Sequence, residues 1–419
     1  MRDLRLKGNW EKEKIYYNAM RVLPFLLMSV LTLLLLLLPL EKGEMFGSEG
    51  DWYSQHVGAA EALRQTMLSE HTIFPQFVGI GGGINAYDLA YYGLLRPDVL
   101  FSVLFPQIEM KHIISVYAIA EVTASVNLMY LWLKKKGLST VFALAGAAIF
   151  AGASCFFHAH HQIMFVNYMP FLILGLLGID RLIEKRKSGL LAVAVFLICQ
   201  HSFFYAPVCI VVCLIYGLYS LWEKGTCAKE YAKLSVKGMV AAVLGFAMAA
   251  VLLLPTALTI LSTQKDGGIF SKESLEAVDV PFESLLYQPY GCGMSMIALY
   301  CLFLTLTRKK RGLAVIVCVI LAVPAIWLVF SGFLYARAKI LIPLVPLIVY
   351  LCADVLQAVW RKEQKVYFLP FLFAVLAAYL LGTESRWQEL VYVDAGLLFL
   401  GILALRHPNV PVRAKQSAV

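Results

Sequence analysis

The sequence predicts an all-α polytopic membrane protein with about 12 transmembrane helices and a long, partly helical first extracytoplasmic loop. Three observations carry this. The 419 residues are 60% hydrophobic and only 15% charged, with a mean hydropathy of +0.74, against about 45 to 50% apolar and 25% charged in soluble domains. Apolar runs recur at close to the roughly 20 residues that a span requires. The basic residues also gather in alternate connections, as short cytoplasmic loops of membrane proteins do.

Taken in order, residues 1–21 are a basic cytoplasmic N-terminus. The run 22–40 is too long for a signal-peptide core and has no small-x-small exit before Glu41, so it reads as an uncleaved first span. Further spans are expected at 113–133, 138–157, 163–182, 189–203, 204–222, 238–262, 293–307, 312–331, 338–359, 366–382 and 390–406. All belong to a single transmembrane domain, 22–406, followed by a cytoplasmic tail, 407–419. Lys134 to Lys136, Lys185 to Lys187, Lys224 to Lys237, Arg308 to Arg311, Arg361 to Lys365 and the two ends fall on one side of this map. That side holds about 27 of the 36 Lys and Arg, which makes it cytoplasmic by the positive-inside rule. The net charge of +9 is thus a topology signal and does not call for a nucleic-acid partner.

Two outer segments exceed a simple turn, 41–111 and 263–292, and long loops in compact proteins are usually functional. Within the first, Tyr53, Val57, Ala60, Leu63 and Met67 recur at helical spacing, predicting an amphipathic helix over Trp52 to Leu68 that lies on the membrane surface. A weakly apolar stretch, Tyr91 to Phe105, is a candidate for re-entry into the outer leaflet. Asp51, after Gly47-Ser48-Glu49-Gly50, opens the helix. It is either an N-cap or a general base at the lipid–water boundary. The run Gly79 to Asn85 is glycine-rich but lacks the Gly-Lys-Ser/Thr and strand–helix context of a phosphate loop, so it marks tight turns or close ligand approach.

Elsewhere, His158, His160 and His161 sit at an outer turn, where interfacial hydrogen bonding outweighs metal binding. Glu121 lies mid-span and must face a cavity or a partner, because an ionised group at the bilayer centre costs about 2.5 to 3.5 kcal/mol. Asp394 poses the same question nearer the outer face. Arg337 and Lys339, on the outer side against the charge trend, are either snorkelling anchors or binders of a lipid phosphate. The nine cysteines follow no metal or disulfide spacing and read as packing residues. No metal site is assigned, although a divalent ion at Glu49, Asp51 or Asp88 is chemically admissible.

Gly50-Asp51 followed by Ser54-Gln55, then Gly79-Ile80-Gly81-Gly82 with Asn85, Tyr91-Tyr92 and Pro97 resemble the YfhO-type bacterial membrane proteins, which belong with the C-type membrane glycosyltransferases. Asn167-Tyr168-Met169-Pro170, Phe203-Phe204-Tyr205 and Leu254-Pro255 extend the resemblance across roughly the first 265 residues. The resemblance implies a polytopic enzyme of the bacterial cell membrane. Such an enzyme moves a sugar from a polyprenyl-phosphate donor to a cell-envelope glycan acceptor on the extracytoplasmic face, with an acid of the first outer loop as base. That role falls on Asp51. Gln55, Gly81, Gly82, Asn85, Tyr91, Tyr92, Arg337 and Lys339 are then the candidate substrate-binding residues. Full-length members usually carry further spans and an outer domain toward the C-terminus, and many have a small residue where Arg96 precedes Pro97.

Two readings from other classes stay open. A transporter or lipid flippase would suit the span count and Glu121, but no pseudo-symmetric halves are visible. A non-catalytic membrane assembly protein would need only the fold.

Overall fold

The structure is a computed structural model, and it describes residues 21–38, 40, 46–47, 50–263, 285–309, 311–331, 337–380 and 385–406. Both chain ends and most of the second outer segment lie outside the described residues, as does Glu49.

The described residues are mostly helical. The first helix, α1 (Arg21–Leu37), is followed by a π-helical turn (Trp52–Val57) that runs directly into α2 (Gly58–Ser69). A two-stranded hairpin, β1 (Phe77–Val78) and β2 (Ile84–Asn85), pairs Phe77 with Asn85 and Val78 with Ile84. A 3-10 turn (Ala86–Tyr92) and α3 (Pro97–Ser102) complete the first loop. Then come α4 (Met110–Lys135), α5 (Thr140–Ala151), α6 (His158–His161), α7 (Met169–Lys185), α8 (Gly189–His201), α9 (Ala206–Glu223), α10 (Ala228–Met248) and α11 (Ala250–Thr263). The remainder is α12 (Met296–Leu306), α13 (Gly312–Ala322), α14 (Pro324–Phe330), α15 (Val345–Trp360), α16 (Leu369–Leu380) and α17 (Ser385–Arg406).

Each apolar stretch marked in the sequence falls on a helix, so the all-α polytopic class holds. The count is less definite. Among the described residues, six helices are long and apolar enough to cross a bilayer, and eight if α5 with Ser154–His161 (bent by 51°) and α13 with α14 (bent by 87°) each form one span. The other apolar helices, α1, α8, α11, α12 and α16, are shorter. The stretch 238–262 is not straight-through: α10 starts ten residues earlier, at Ala228, and gives way to α11 at Ala249. The expected junction near Phe203 lies between His201 and Ala206.

In lipid no hydrophobic effect drives one helix onto another, so helices associate through close packing at small residues. A Cβ on Gly178 of α7 would come within 2.8 Å of the Leu191 backbone nitrogen of α8. One on Gly245 of α10 would come within 2.5 Å of the Ala192 carbonyl of α8. These contacts seat α8 between α7 and α10. On the side assigned as cytoplasmic, Asp180 of α7 accepts hydrogen bonds from Tyr216 of α9 (2.6 Å), Trp132 of α4 (3.0 Å) and Lys136 (3.4 Å). The Lys136 ammonium also lies over the rings of Tyr216 and Tyr350, so four helices meet at one charge-balanced cluster.

The predicted surface helix exists, but its apolar face looks inward. Ala60 and Leu63 are fully buried, and Val57 and Met67 nearly so; α2 packs on α3, the hairpin and the 86–92 turn. Only Tyr53 of the predicted stripe is exposed. The first outer loop therefore has a small core of its own and does not rest on the bilayer through α2. Arg96, which caps the start of α3, makes a two-pronged bond to Asp98 (2.6 and 2.7 Å), with both side chains buried.

Candidate functional site

The site begins with a tight turn. Gly47 and Gly50 have φ of +79° and +59°, and added Cβ atoms would strike the Trp52 indole and the His161 ring, the latter at 2.1 Å from Nε2. Only glycine allows both the backbone sign and this approach. The turn thus presses the start of the first loop against α6, and Asp51 is delivered beside it.

Asp51 precedes the π-helical turn yet makes no side-chain capping bond. Its carboxylate is held from two directions: Gln55 Nε2 donates to Oδ1 at 2.6 Å and Gln162 Nε2 donates to Oδ2 at 2.7 Å. Tyr92 donates its hydroxyl to Gln55 Oε1 at 2.6 Å, which fixes the Gln55 amide so that its NH2 faces the acid. Gln162 cannot flip either, because its carbonyl would then oppose Asp51. Both hydrogen-bond partners of Asp51 are neutral amides, and the residue is half-buried. Burial first, and then the Asp51 charge, raises the Tyr92 phenol above its ordinary pKa; Tyr91 and Tyr290 are raised by the same leading cause and also feel Asp51. These phenols stay protonated donors at neutral pH. His56, one position past Gln55 and fully buried, is pushed down to about 3, by burial foremost and then by Arg96 and His161. It is a neutral ring.

An aromatic wall stands beyond Asp51. His158 and Tyr290 rings meet at 4.7 Å, Tyr290 lies 6.2 Å from Phe165, and the Tyr290 hydroxyl is 3.5 Å from His161 Nδ1. His158 Nε2 faces the Pro289 carbonyl at 3.0 Å and must carry the proton, since a carbonyl only accepts. His158 thus makes its hydrogen bond inside the protein, on the loop that carries Tyr290. Lys339 reaches the same wall, with Nζ 5.0 Å from the centre of the Phe165 ring.

Of the predicted site residues, the structure joins Asp51, Gln55 and Tyr92 by hydrogen bonds, packs Tyr91 edge-on to Tyr92 at 5.5 Å, and brings Lys339 to the neighbouring wall. Arg337 is exposed two residues before Lys339. Asn85 accepts from the Tyr87 backbone N–H at 3.0 Å and caps the 86–92 turn. Gly81 and Gly82 lie on the exposed bend of the hairpin with open space around them, at φ of +60° and +96°. Among the described residues no group of three His, Cys, Asp or Glu could hold a metal, and Asp88 is exposed on the 86–92 turn. Gln162, His161 and Tyr290 are additions to the predicted set. The His-His-Gln run hinted at a polar turn, but nothing local in the sequence ties it to an acid 111 positions away.

A second polar cluster lies below. Glu121 of α4 is buried, with His201 Nε2 3.3 Å from its Oε1; Tyr117 meets the same nitrogen at 2.8 Å. His201 Nδ1 donates to the Leu197 carbonyl at 2.7 Å. Glu121 thus has an ionisable neighbour, although neither of its carboxyl oxygens makes a hydrogen bond among the described residues. Asp394 is likewise accounted for: it accepts from Tyr287 and from the Met296 backbone N–H, bridging α17 to the start of α12.

The family now follows from the sequence. Residues 20–287, more than half of the chain and all of the Asp51 neighbourhood up to Tyr287, match the family described as bacterial membrane protein YfhO. The chain belongs to the YfhO family. No curated protein and no solved structure matches it. The family region takes in α1 to α11, and with them the first outer loop, α6 and Gln162. Tyr290 and Lys339 come from beyond it.

Proposed function

We propose that the protein is a membrane glycosyltransferase. It moves a sugar from a polyprenyl-phosphate-linked donor to a cell-envelope acceptor on the extracytoplasmic face of the bacterial plasma membrane, and both chain termini are cytoplasmic. The observation that carries this reading is the Asp51 carboxylate: uncapped, half-exposed, oriented by two amide donors, and next to an aromatic wall that ends at a cation. Two of its four lone-pair positions are taken by the amides, which leaves an oxygen able to accept from a third group.

In this reaction Asp51 takes the proton of the acceptor hydroxyl, and the hydroxyl oxygen bonds to the anomeric carbon. The bond from that carbon to the donor phosphate oxygen breaks as the new one forms, so the configuration inverts. Arg337 and Lys339 offset the charge gathering on the departing phosphate. Gln55 and Tyr92 hold the base; Tyr91, Asn85, Gly81 and Gly82 are assigned to the substrate side. No metal is written into the scheme.

The test compares envelope glycans by mass spectrometry in cells with the native chain, without it, and with Asp51→Asn at equal membrane abundance. Loss of one sugar decoration in both altered strains supports transfer through Asp51. Unchanged glycans in cells without the chain overturn the reading. A transporter or flippase would then lead, favoured by the Glu121–His201 pair, whose Glu121 oxygens make no hydrogen bond among the described residues.

A further inference from the structure

The end of the first outer loop presents an apolar surface that the transferase reading does not use. No charged side chain occurs between Asp98 and Glu109. α3 buries Val99 and Ser102 against the loop's core and turns Phe101 outward at 62% exposure; Leu104 (68%), Phe105 (48%) and Ile108 (41%) follow it. Four large apolar side chains exposed within eight residues are uncommon on a surface that faces water.

Much of the backbone beneath them is paired within the loop. The N–H groups of Leu104, Phe105 and Ile108 donate to the carbonyls of Phe101, Ser102 and Phe105, each at 3.0 Å, and the Ile108 carbonyl accepts from Arg64 at 2.7 Å. Irregular backbone tolerates membrane depth only when its polar groups are paired in this way. The flanking charges are paired as well, Arg96 with Asp98 inside the loop and Lys111 with Glu109 at the other end. α4 begins at Met110, and its outer half exposes Val116 at 68%, so the patch leads directly into the lipid-facing surface of a span.

We propose that Phe101, Leu104, Phe105 and Ile108 form a finger that inserts into the adjacent leaflet, with phospholipid as its partner, and that this finger, not α2, anchors the first outer loop to the membrane. Continuity with α4 selects lipid over a second copy of the chain as the occupant. The inference does not depend on the transferase reading.

The test places a benzophenone amino acid at position 104, or at the exposed Gln65 of α2, in the full chain in vesicles of phosphatidylethanolamine and phosphatidylglycerol. Irradiation is followed by intact-mass measurement. A phospholipid adduct is expected at position 104 and not at 65. It should disappear when Phe101→Glu and Phe105→Glu are added, with thermal unfolding unchanged because both side chains are exposed. A link between two copies, equal lipid adducts at both positions, no adduct at 104, or an adduct that survives the two glutamates would each overturn the proposal.

Discussion

Two aspartates at opposite ends of the bundle are held in contrasting ways. Asp180 is buried and charge-balanced: it takes a tyrosine, a tryptophan and the Lys136 ammonium, drawn from α4 and α9. Asp51 is half-buried and held by two neutral amides, while Lys339 sits against Phe165 of the aromatic wall. A carboxylate whose charge is met by an adjacent ammonium serves as a lock. One that is oriented but not neutralised keeps its charge for something else. The amides aim Asp51 without cancelling it, as a general base requires.

The largest expected effect breaks this comparison at its functional end. Asp51→Asn keeps the shape but loses the proton acceptor, and general-base removal costs about 10²- to 10⁴-fold in rate. Sugar transfer in isolated membranes should fall accordingly, while Asp180→Asn, which keeps one of the two acceptor oxygens at a cluster away from Asp51, should change it only a few-fold. Equal loss in both variants would make Asp51 one more lock.

Stability should show the reverse order. Asp180→Ala leaves the buried Tyr216 hydroxyl and the Trp132 indole N–H without their acceptor, and Lys136 without its counter-charge. Loss of one partner from a buried pair costs about 3 to 5 kcal/mol, and the partly exposed Lys136 places this case near the lower end. Asp51→Asn should stay within about 1 kcal/mol of the native chain. Thermal unfolding in detergent, read on the two variants side by side, checks the ranking.

A finer effect concerns aim. Gln162→Leu removes the donor to Asp51 Oδ2 and leaves Gln55 in place. A hydrogen bond to a charged group is worth about 1.5 to 3 kcal/mol, so transfer should drop roughly ten- to a hundredfold. Thermal stability should fall by no more than that same amount. If activity is untouched, Gln55 alone orients the acid.

How much of this was legible depends on range. Hydropathy is a local property, so the helices were readable in order; Gln55 was named only through the family resemblance, and its bond to Asp51 came from the structure. The break at Ala249 was not, because the apolar run continues across it and only packing of α11 on the 86–92 turn reveals the change. The spacing of Tyr53, Val57, Ala60, Leu63 and Met67 gave a helix but not what its apolar face meets; lipid and a protein core select the same residues. Asp180 drew no attention inside an apolar run, and Gln162 none beside three histidines, since their partners lie 36 to 111 positions away.

The smallest predicted effect separates the two ends by pH. His56 is neutral and buried beside the Asp51 turn, with a folded pKa of about 3 against 6.5 when free. Above 6.5 neither folded nor unfolded chain binds a proton there, and the ring adds no pH dependence. As pH falls below 6.5 the unfolded chain takes up a proton that the folded chain refuses, so stability declines toward pH 3, by up to about 1.4 kcal/mol per pH unit from this group. The other buried histidines add slopes of their own, which makes the difference between the native chain and His56→Phe the quantity to measure. Unfolding midpoints followed from pH 7 to pH 5 should fall less steeply in the variant, because phenylalanine fills the same space between Trp52 and Tyr92 without a proton to accept. Parallel curves would mean that His56 is solvated in solution, and the turn that presents Asp51 would then be looser than its glycine contacts imply. Asp180→Asn, far from this ring, should shift the midpoints and leave the slope alone.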